Sequence, residues 1–340
     1  MKVSVVIPVY NKAPFLKECF DSVFTQTFRD FELIAVDDSS TDDSLALLRG
    51  MDDHRLRVIA LNKNLGPAGC AQRGFDAAHG EYIVRMDADD VMFPHRIERQ
   101  VAFMDAHPEV GASGSHMELY YEPGVRRMST LSDTDCRAVV LFHIPIFQPS
   151  SIYRRDVLLG NSIRFQDDWP RYGEDWLFQL RLLKVTRIAN LDEALVRYRV
   201  GNQNISYGRD NHADLITLFT AVLDWHGLPA DEETLRQHLH AIKFFPAAMQ
   251  PADVVAVKRY LAGLRTQARQ LGLFEPEAFD RRLDRVWDDL AYQMPRFGWA
   301  TSWSYFRHDH RPSFVKSRYM LSSLLKGRIY DGARPHSPVP

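Results

Sequence analysis

Acidic residues follow two short apolar runs of this 340-residue chain, at the points where the runs end. Asp37 and Asp38 come after the first run, and Asp87 and Asp89 come after the second. Carboxylates gathered at one place repel each other unless a positive charge lies between them, and Mg²⁺ or Mn²⁺ can supply that charge. The two acidic pairs therefore predict a divalent-cation site, with turn and helix-cap residues as the alternative interpretation.

The elements around these residues should place both pairs at one edge of a sheet. Short β-rich runs alternate with segments of helical periodicity to about residue 110, which predicts an α/β fold with a parallel, doubly wound sheet. Ligands of such sheets bind outside the carboxyl ends of the strands. The predicted strands are 3–9, 33–36, 56–61 and 82–86, one further helix has Pro94 in its first turn, and another runs from about 174 to 184.

Length, charge and cysteine content limit the class of protein. The length fits two units, and the pattern becomes mainly helical from about residue 210, so we predict domains at 1–209 and 210–340. A formal net charge of -2 argues against nucleic acid as a partner. Three widely spaced cysteines favour a reducing, cytoplasmic location, and no apolar run reaches the ~20 residues that a membrane span needs.

An ordered series of motifs closely resembles the large family two of inverting glycosyltransferases. The resemblance covers about the first two-thirds of the chain. It implies a GT-A fold, a Rossmann-like and mostly parallel sheet flanked by helices, which binds a nucleoside-diphosphate sugar together with Mn²⁺ or Mg²⁺. The motifs are Ser4 to Asn11, Val36 to Asp42, Asn64 to Gly66, Gly80 to Asp90, Gly173 to Trp176, Tyr198 to Arg199 and Asn204 to Ser206.

The resemblance also implies roles for single residues on the donor side. Pro8 and Tyr10 would line the nucleotide base, and Asp38 would accept a hydrogen bond from a base N–H. Asp87 would face the ribose, with metal ligation as a second role, and Asp89 would ligate the metal. The other donor-side candidates on these motifs are Val9, Asn11, Asn64, Ala88 and Arg199.

Asp175 is the predicted catalytic base. In an inverting transfer, one carboxylate removes the proton of the acceptor hydroxyl while that oxygen attacks the anomeric carbon. The positive end of the predicted helix would keep Asp175 ionised, although an acidic first turn also serves simply to complement the helix dipole. His143, Glu174 and Trp176 are the candidates for the acceptor side, and His143 fits a structural role equally well.

The segment from Met294 to Arg334 combines basic and aromatic residues, which suits an anionic membrane surface or, equally, a core packed under a solvated basic face. This segment and the family resemblance together predict that the protein transfers a sugar from a UDP-sugar, the favoured donor, to a polysaccharide or glycolipid precursor at the inner face of the plasma membrane.

The alternative functions are those of a nucleotidyltransferase and of a degenerate sugar-nucleotide-binding module. A nucleotidyltransferase would need a Gly-rich basic loop after the first strand, and Pro8 to Lys12 is not one.

Overall fold

The computed structural model describes residues 1–166, 169, 170, 172–201 and 210–326. The chain divides into two compact units. Residues 1–136 and 144–214 form the first unit, and residues 137–143 and 215–340 form the second. The assignment of 1–209 to catalysis and of 210–340 to a helical region stays a prediction.

Strands and helices alternate from Val3 to Arg85, they follow in irregular order through the rest of the first unit, and helices make up the described part of the second. The strands are β1 Val3–Val9, β2 Phe31–Asp37, β3 Leu56–Ala60, β4 Tyr82–Arg85, β5 Val91–Met92, β6 Val110–Ser113, β7 Ser115–Leu119, β8 Arg126–Arg127, β9 Ile152–Arg154, β10 Arg187–Ile188 and β11 Leu191–Tyr198. The helices are α1 Ala13–Phe24, α2 Ser44–Arg49, α3 Gly66–Ala77, α4 Arg96–Ala106, α5 Asp133–Val139, α6 Arg155–Gly160, α7 Glu174–Val185, α8 His212–Trp225, α9 Glu232–Ala241, α10 Pro251–Leu271, α11 Pro276–Leu290, α12 Gly298–His308 and α13 Phe314–Lys326.

Seven strands form the main sheet in the order β10-β6-β9-β4-β1-β2-β3. The central strand β1 pairs in parallel with β2 and β4, whereas β9 runs antiparallel to β4 and β6. Val5 and Val6 point to opposite faces of the sheet and both are fully buried, as expected for a strand covered on both sides. The mixed α/β fold with a mostly parallel sheet is confirmed.

The two faces of β1 are covered by α1 and α3. Apolar residues of α1 such as Leu16 and Phe20 share one core with Val5. On the other face α3 approaches so closely that a Cβ atom built on Gly74 would lie 2.3 Å from Cγ1 of Val6. This close packing fixes where α3 begins, which is at the carboxyl edge of the sheet.

A smaller sheet, in the order β5-β11-β7-β8, lies beside the second acidic pair. Its strand β5 follows Asp90 directly and pairs antiparallel with the end of β11, where Arg197 is opposite Val91. Because of this pairing, the backbone at Arg199 reaches Asp90.

The predicted strands correspond to β1, β2, β3 and β4, and the predicted apolar face of Ile97, Val101 and Met104 is buried in α4. The placement of Pro94 in the first turn of that helix is wrong, since α4 begins at Arg96 with His95 as its N-cap. The physical reason is that the preceding residue still belongs to an extended segment: the Phe93 N–H donates to the Leu195 carbonyl at 3.0 Å.

The second unit is organised around its longest helix, α10, which contacts α9, α11 and α12. Pro251 begins this helix behind a capping box of Gln250 and Asp253, and Gly272 ends it in the left-handed conformation, with φ of 61°. No helix among the described residues has both the length and the apolar character required to cross a bilayer.

Candidate active site

The loops that follow β1 and β2 are held together by Asn11. Its backbone N–H donates to Ser40 Oγ at 3.0 Å, and its side-chain oxygen accepts from the Thr41 N–H at 2.8 Å. Asn11 has φ of 51°, a region that asparagine enters more readily than most residues. The structure therefore gives Asn11 a defined role in shaping the loop, and its predicted contact with the donor stays a prediction.

The loop after β4 carries three carboxylates whose ligand atoms all lie within 4.8 Å of one another: Asp87, Asp89 and Asp90. Asp90 is buried; its Oδ1 accepts from the Arg199 N–H at 2.8 Å, and its Oδ2 has no hydrogen-bond partner among the described residues. Burial and then the Asp87 charge raise the pKa of Asp89 and of Asp90. A carboxylate cluster with an unpartnered buried oxygen fits a divalent cation that takes oxygen ligands.

Lys12 contacts the residue predicted to be the metal ligand. Its Nζ lies 2.6 Å from Oδ2 of Asp89, and both side chains are largely buried. Arg85 forms an ion pair with Asp87. Sequence reasoning named neither cation as a site residue, although an arginine inside the apolar strand Tyr82–Arg85 is a signal that could have indicated one.

A third cation, Arg96, is fully buried at the start of α4. Its guanidinium donates to the Gln100 side chain at 3.0 Å and to the Arg85 carbonyl at 2.8 Å, and its Nη1 has no hydrogen-bond partner within the described part of the chain. Burial lowers the pKa of Arg96 to about 9, against the opposing charges of Asp90 and Asp87. Arg96 therefore supplies buried positive charge near the acidic cluster.

Asp38 lies at the end of β2 and its carboxylate accepts from two backbone groups at the start of α3. Oδ1 accepts from the Leu65 N–H at 2.7 Å, and Oδ2 accepts from the Gly66 N–H at 2.9 Å. Asn64 donates to the Asp38 carbonyl at 3.2 Å. Asp38 thus stabilises a helix start, and its predicted contact with a base N–H stays a prediction.

Asp38→Ala is expected to lower the free energy of unfolding by about 1–3 kcal/mol, because two N–H groups lose their acceptor. Urea denaturation followed by circular dichroism measures this. Asp43→Ala is the matched control, since Asp43 is exposed and makes no side-chain cap bond at α2.

Base reading by Asp38 is tested with Asp38→Asn. This variant keeps one oxygen acceptor and replaces the other, which accepts from the Leu65 or the Gly66 N–H, with an N–H donor that would also oppose a base N–H. Titration calorimetry should show uridine diphosphate binding weakened by on the order of 1–3 kcal/mol. Wild-type affinity in a folded Asp38→Asn protein would leave Asp38 with its structural role alone.

The remaining donor-side residues differ in exposure. Tyr10 is 46% exposed, Pro8 is partly exposed, and Val9 is buried. Ala88 is also buried, between the two carboxylates of its motif. Only Tyr10 and Pro8 of these four present enough surface to contact a base.

The side chain of Arg199 contacts residues outside the acidic cluster. Its guanidinium forms an ion pair with Glu18 and stacks 3.5 Å from the centroid of the Tyr120 ring, and the Tyr120 hydroxyl donates to Glu18 at 2.8 Å. Its backbone N–H donates a hydrogen bond to Asp90 Oδ1. The structure thus connects Arg199 to the cluster through its backbone, and a direct side-chain contact with the donor stays a prediction.

Asp175 and Glu174 occupy the first turn of α7, as predicted. Gly173 precedes them with φ of 93°, in the left-handed region, and the Trp176 N–H donates to Asp175 Oδ1 at 2.8 Å. Burial and the Asp175 charge raise the pKa of Glu174 to about 8. Burial raises the pKa of Asp175 to about 6, while Arg85 acts against the shift.

Arg85 connects the two acidic groups electrostatically. The negative charges of Asp87, Glu174 and Asp175 raise the pKa of Arg85, although burial acts to lower it. The acidic cluster and the start of α7 are therefore parts of one charged region of the first unit. Trp176 is partly buried beside Asp175, and His143 belongs to the 137–143 segment of the second unit. The acceptor roles of both residues stay predictions.

Comparison with known sequences identifies related proteins. The sequence profile of Glycosyl transferase family 2 matches residues 4–166. An uncharacterized glycosyltransferase of Haemophilus influenzae is 32% identical over 218 residues, which are 60% of this chain and 67% of that protein. The amylovoran biosynthesis glycosyltransferase AmsE of Erwinia amylovora is 29% identical over 214 residues, 61% of this chain and 79% of that protein.

Solved structures share the fold. S. aureus TarS in complex with UDP-GlcNAc superposes with a TM-score of 0.59 at 20% identity, covering 97% of this chain and 93% of that chain. The mannosyltransferase PcManGT from Pyrobaculum calidifontis, in complex with GDP-Man and Mn²⁺, gives a TM-score of 0.52 at 18% identity, covering 96% of this chain and 88% of that chain. These structures show the shared fold, and the profile match together with the Haemophilus influenzae relative shows that the chain belongs to glycosyl transferase family 2.

Proposed function

We propose that this glycosyltransferase is metal-dependent and inverting, and that it moves a sugar from a nucleoside-diphosphate sugar to a hydroxyl of a polysaccharide or glycolipid precursor. The observation that carries the proposal is the cluster of Asp87, Asp89 and Asp90 at the carboxyl edge of the parallel sheet, with an unpartnered buried oxygen. The complexes of TarS with UDP-GlcNAc and of PcManGT with GDP-Man and Mn²⁺ support a donor of this class. We favour a UDP-sugar, with GDP-mannose as the comparison donor.

The acidic cluster would hold Mn²⁺ or Mg²⁺. When bound, such an ion acts as a Lewis acid that stabilises the charge of the departing nucleoside diphosphate. Asp89 and Asp90 would be ligands, and Asp87 would face the ribose or complete the ligand set. Arg85, which is ion-paired with Asp87, would hold that carboxylate in place.

Asp175 would take the proton from the acceptor hydroxyl. Burial raises the pKa of both carboxyl groups at the start of α7, and it raises that of Glu174 further, so Asp175 is the more readily ionised of the two. A general base must be ionised before it can accept the proton, and a pKa close to the working pH suits that task. The position of Asp175 at a helix N-terminus further favours its charged form.

The expected acceptor follows from the relatives: AmsE is by its name a glycosyltransferase of amylovoran biosynthesis. We place the reaction in the cytoplasm, at the inner face of the plasma membrane, with residues 1–209 binding the donor and residues 210–340 forming the helical region.

A thermal-shift screen of nucleoside diphosphates and nucleotide sugars, with and without Mn²⁺, tests the proposal. A ligand at about 100 times its Kd stabilises the folded state by about 2.7 kcal/mol, which raises Tm by roughly 5–10 °C for a domain of this size. We expect this rise with uridine diphosphate and Mn²⁺ together, and a much smaller one with either alone. If no nucleoside diphosphate raises Tm, the result would contradict the proposed class of donor.

A further inference from the structure

Helix α12 of the second unit leaves one side covered with aromatic rings in solvent. Trp299, Trp303 and Phe306 are 56%, 65% and 43% exposed, and their spacing of four and three residues puts them on one face of the helix. The rings of Trp303 and Phe306 stack at 5.7 Å between centroids. The opposite side, with Ser302 and Tyr305, is buried.

The next helix, α13, has the reverse of the usual amphipathic arrangement. Phe314, Leu321 and Leu325 are 79%, 52% and 69% exposed, whereas Lys316 is buried. The Lys316 ammonium forms ion pairs with Asp288 at 2.8 Å and Asp309 at 2.7 Å. Helices on a water-exposed surface normally turn their apolar residues inward. The outward-facing apolar residues of α13 therefore indicate a surface that binds another molecule.

The charges on these helices are unbalanced. Between residues 294 and 326 the single acidic residue is Asp309, and its side chain is 3% exposed because it pairs with Lys316. Arg307 and Arg318 are exposed, and Arg318 lies in line with Phe314 and Leu321 on α13. A second copy of the chain docked around a twofold axis would bring the same two arginines to the interface and no exposed acidic residue of these helices to pair with them. An anionic surface complements them, and tryptophan and arginine beside apolar residues suit a lipid headgroup region.

We propose that α12 and α13 form a docking face for an anionic phospholipid bilayer. The face consists of Trp299, Trp303, Phe306, Phe314, Leu321 and Leu325, flanked by Arg307 and Arg318. The structure thereby narrows the segment that the sequence indicated. Met294, Tyr305, Lys316 and Met320 of that segment are core residues, and its last part, 327–334, lies outside the described residues.

Sedimentation of the full-length protein with vesicles tests the docking face. Vesicles of phosphatidylcholine and phosphatidylglycerol in equal amounts should bind the protein, and vesicles of phosphatidylcholine alone should bind it far more weakly. Tryptophan emission should shift to the blue on binding, since Trp299 and Trp303 would leave water. Binding should weaken as salt rises.

Two sets of variants separate the apolar and the charged contributions. Trp299→Ser combined with Trp303→Ser should abolish binding. Arg307→Glu combined with Arg318→Glu should weaken it at least about 25-fold, because each basic residue near the bilayer contributes about fivefold. The matched control is Arg259→Glu with Arg285→Glu, which changes the net charge equally at two exposed positions of α10 and α11. Circular dichroism and Tm check that each variant is folded.

Three outcomes would overturn the proposal. The first is that the intact protein ignores anionic vesicles. The second is that the two arginine pairs affect binding equally, which would indicate a response to net charge rather than a docking face. The third is that sedimentation velocity shows a dimer that Trp303→Ser dissociates in protein without lipid affinity, which would assign the face to a second copy of the chain.

Discussion

Replacing Asp175 with asparagine is expected to lower kcat by about 10² to 10⁴-fold, the usual contribution of a positioned general base. Asparagine keeps the size of the side chain and an acceptor for the Trp176 N–H, so α7 should still begin at Glu174. The donor and the metal should bind almost as they do to the wild type, because the proposed role of Asp175 concerns the acceptor proton alone. Steady-state kinetics with a separate calorimetric donor titration would measure both quantities.

Glu174→Gln is the matched control for this prediction. It removes a carboxyl group from the same helix turn, but from the residue whose pKa is raised further and which is therefore the less readily ionised base, so kcat should change much less. A near-normal kcat in Asp175→Asn, with a large loss in Glu174→Gln, would transfer the base role to Glu174. NMR of the product supplies a separate test, since retention of the donor's anomeric configuration is incompatible with a single displacement.

The second large effect is expected for Asp89→Asn. Loss of one carboxylate should weaken Mn²⁺ binding and lower metal-dependent turnover by on the order of 10² to 10⁴-fold, because a Lewis-acid ion stabilises the transition state by several kcal/mol. Mn²⁺ titration followed by electron paramagnetic resonance measures the binding directly. Full turnover by this variant, or by the wild type in excess chelator, would remove the metal from the mechanism.

Lys12→Met is the matched control for Asp89→Asn, because the structure pairs Lys12 with Asp89. Asp89→Asn removes a possible metal ligand and also breaks the ion pair between Asp89 and Lys12, whereas Lys12→Met breaks the ion pair and keeps the carboxylate. We expect Lys12→Met to bind Mn²⁺ at least as tightly as the wild type, because an ammonium group no longer competes for Oδ2. Equally weak binding in both variants would mean that the ion pair, rather than ligation, determines the Mn²⁺ result.

Much of the fold could be predicted from short stretches of sequence. The β-branched run of β1 and the spacing of Ile97, Val101 and Met104 on α4 are local patterns, and they report burial directly. Pro94 was misplaced because the pairing of Phe93 with Leu195 joins residues far apart in the chain. The position of Asp87 and Asp89 after a strand was predictable for the same local reason, since residues that closely follow a strand lie at the edge of the sheet.

The sequence by itself determined that Asp87 and Asp89 would follow a strand of a mostly parallel sheet, and that Glu174 and Asp175 would begin a helix. Only the tertiary structure decided what those groups contact. Lys12 contacts Asp89, which lies 77 residues away along the chain, and Arg199 contacts Glu18, which lies 181 residues away. Asp38 meets Leu65 across 27 residues.

The exposure of the rings on α12 and α13 was likewise left open by composition, because a periodic apolar stripe fits a core and a membrane surface equally well. Packing leaves these rings exposed and buries Lys316 with Asp288 and Asp309 instead. Side-chain partners and the outward face of a helix depend on which elements pack together. Local sequence patterns carry that information only weakly, since each contact joins residues that are distant along the chain.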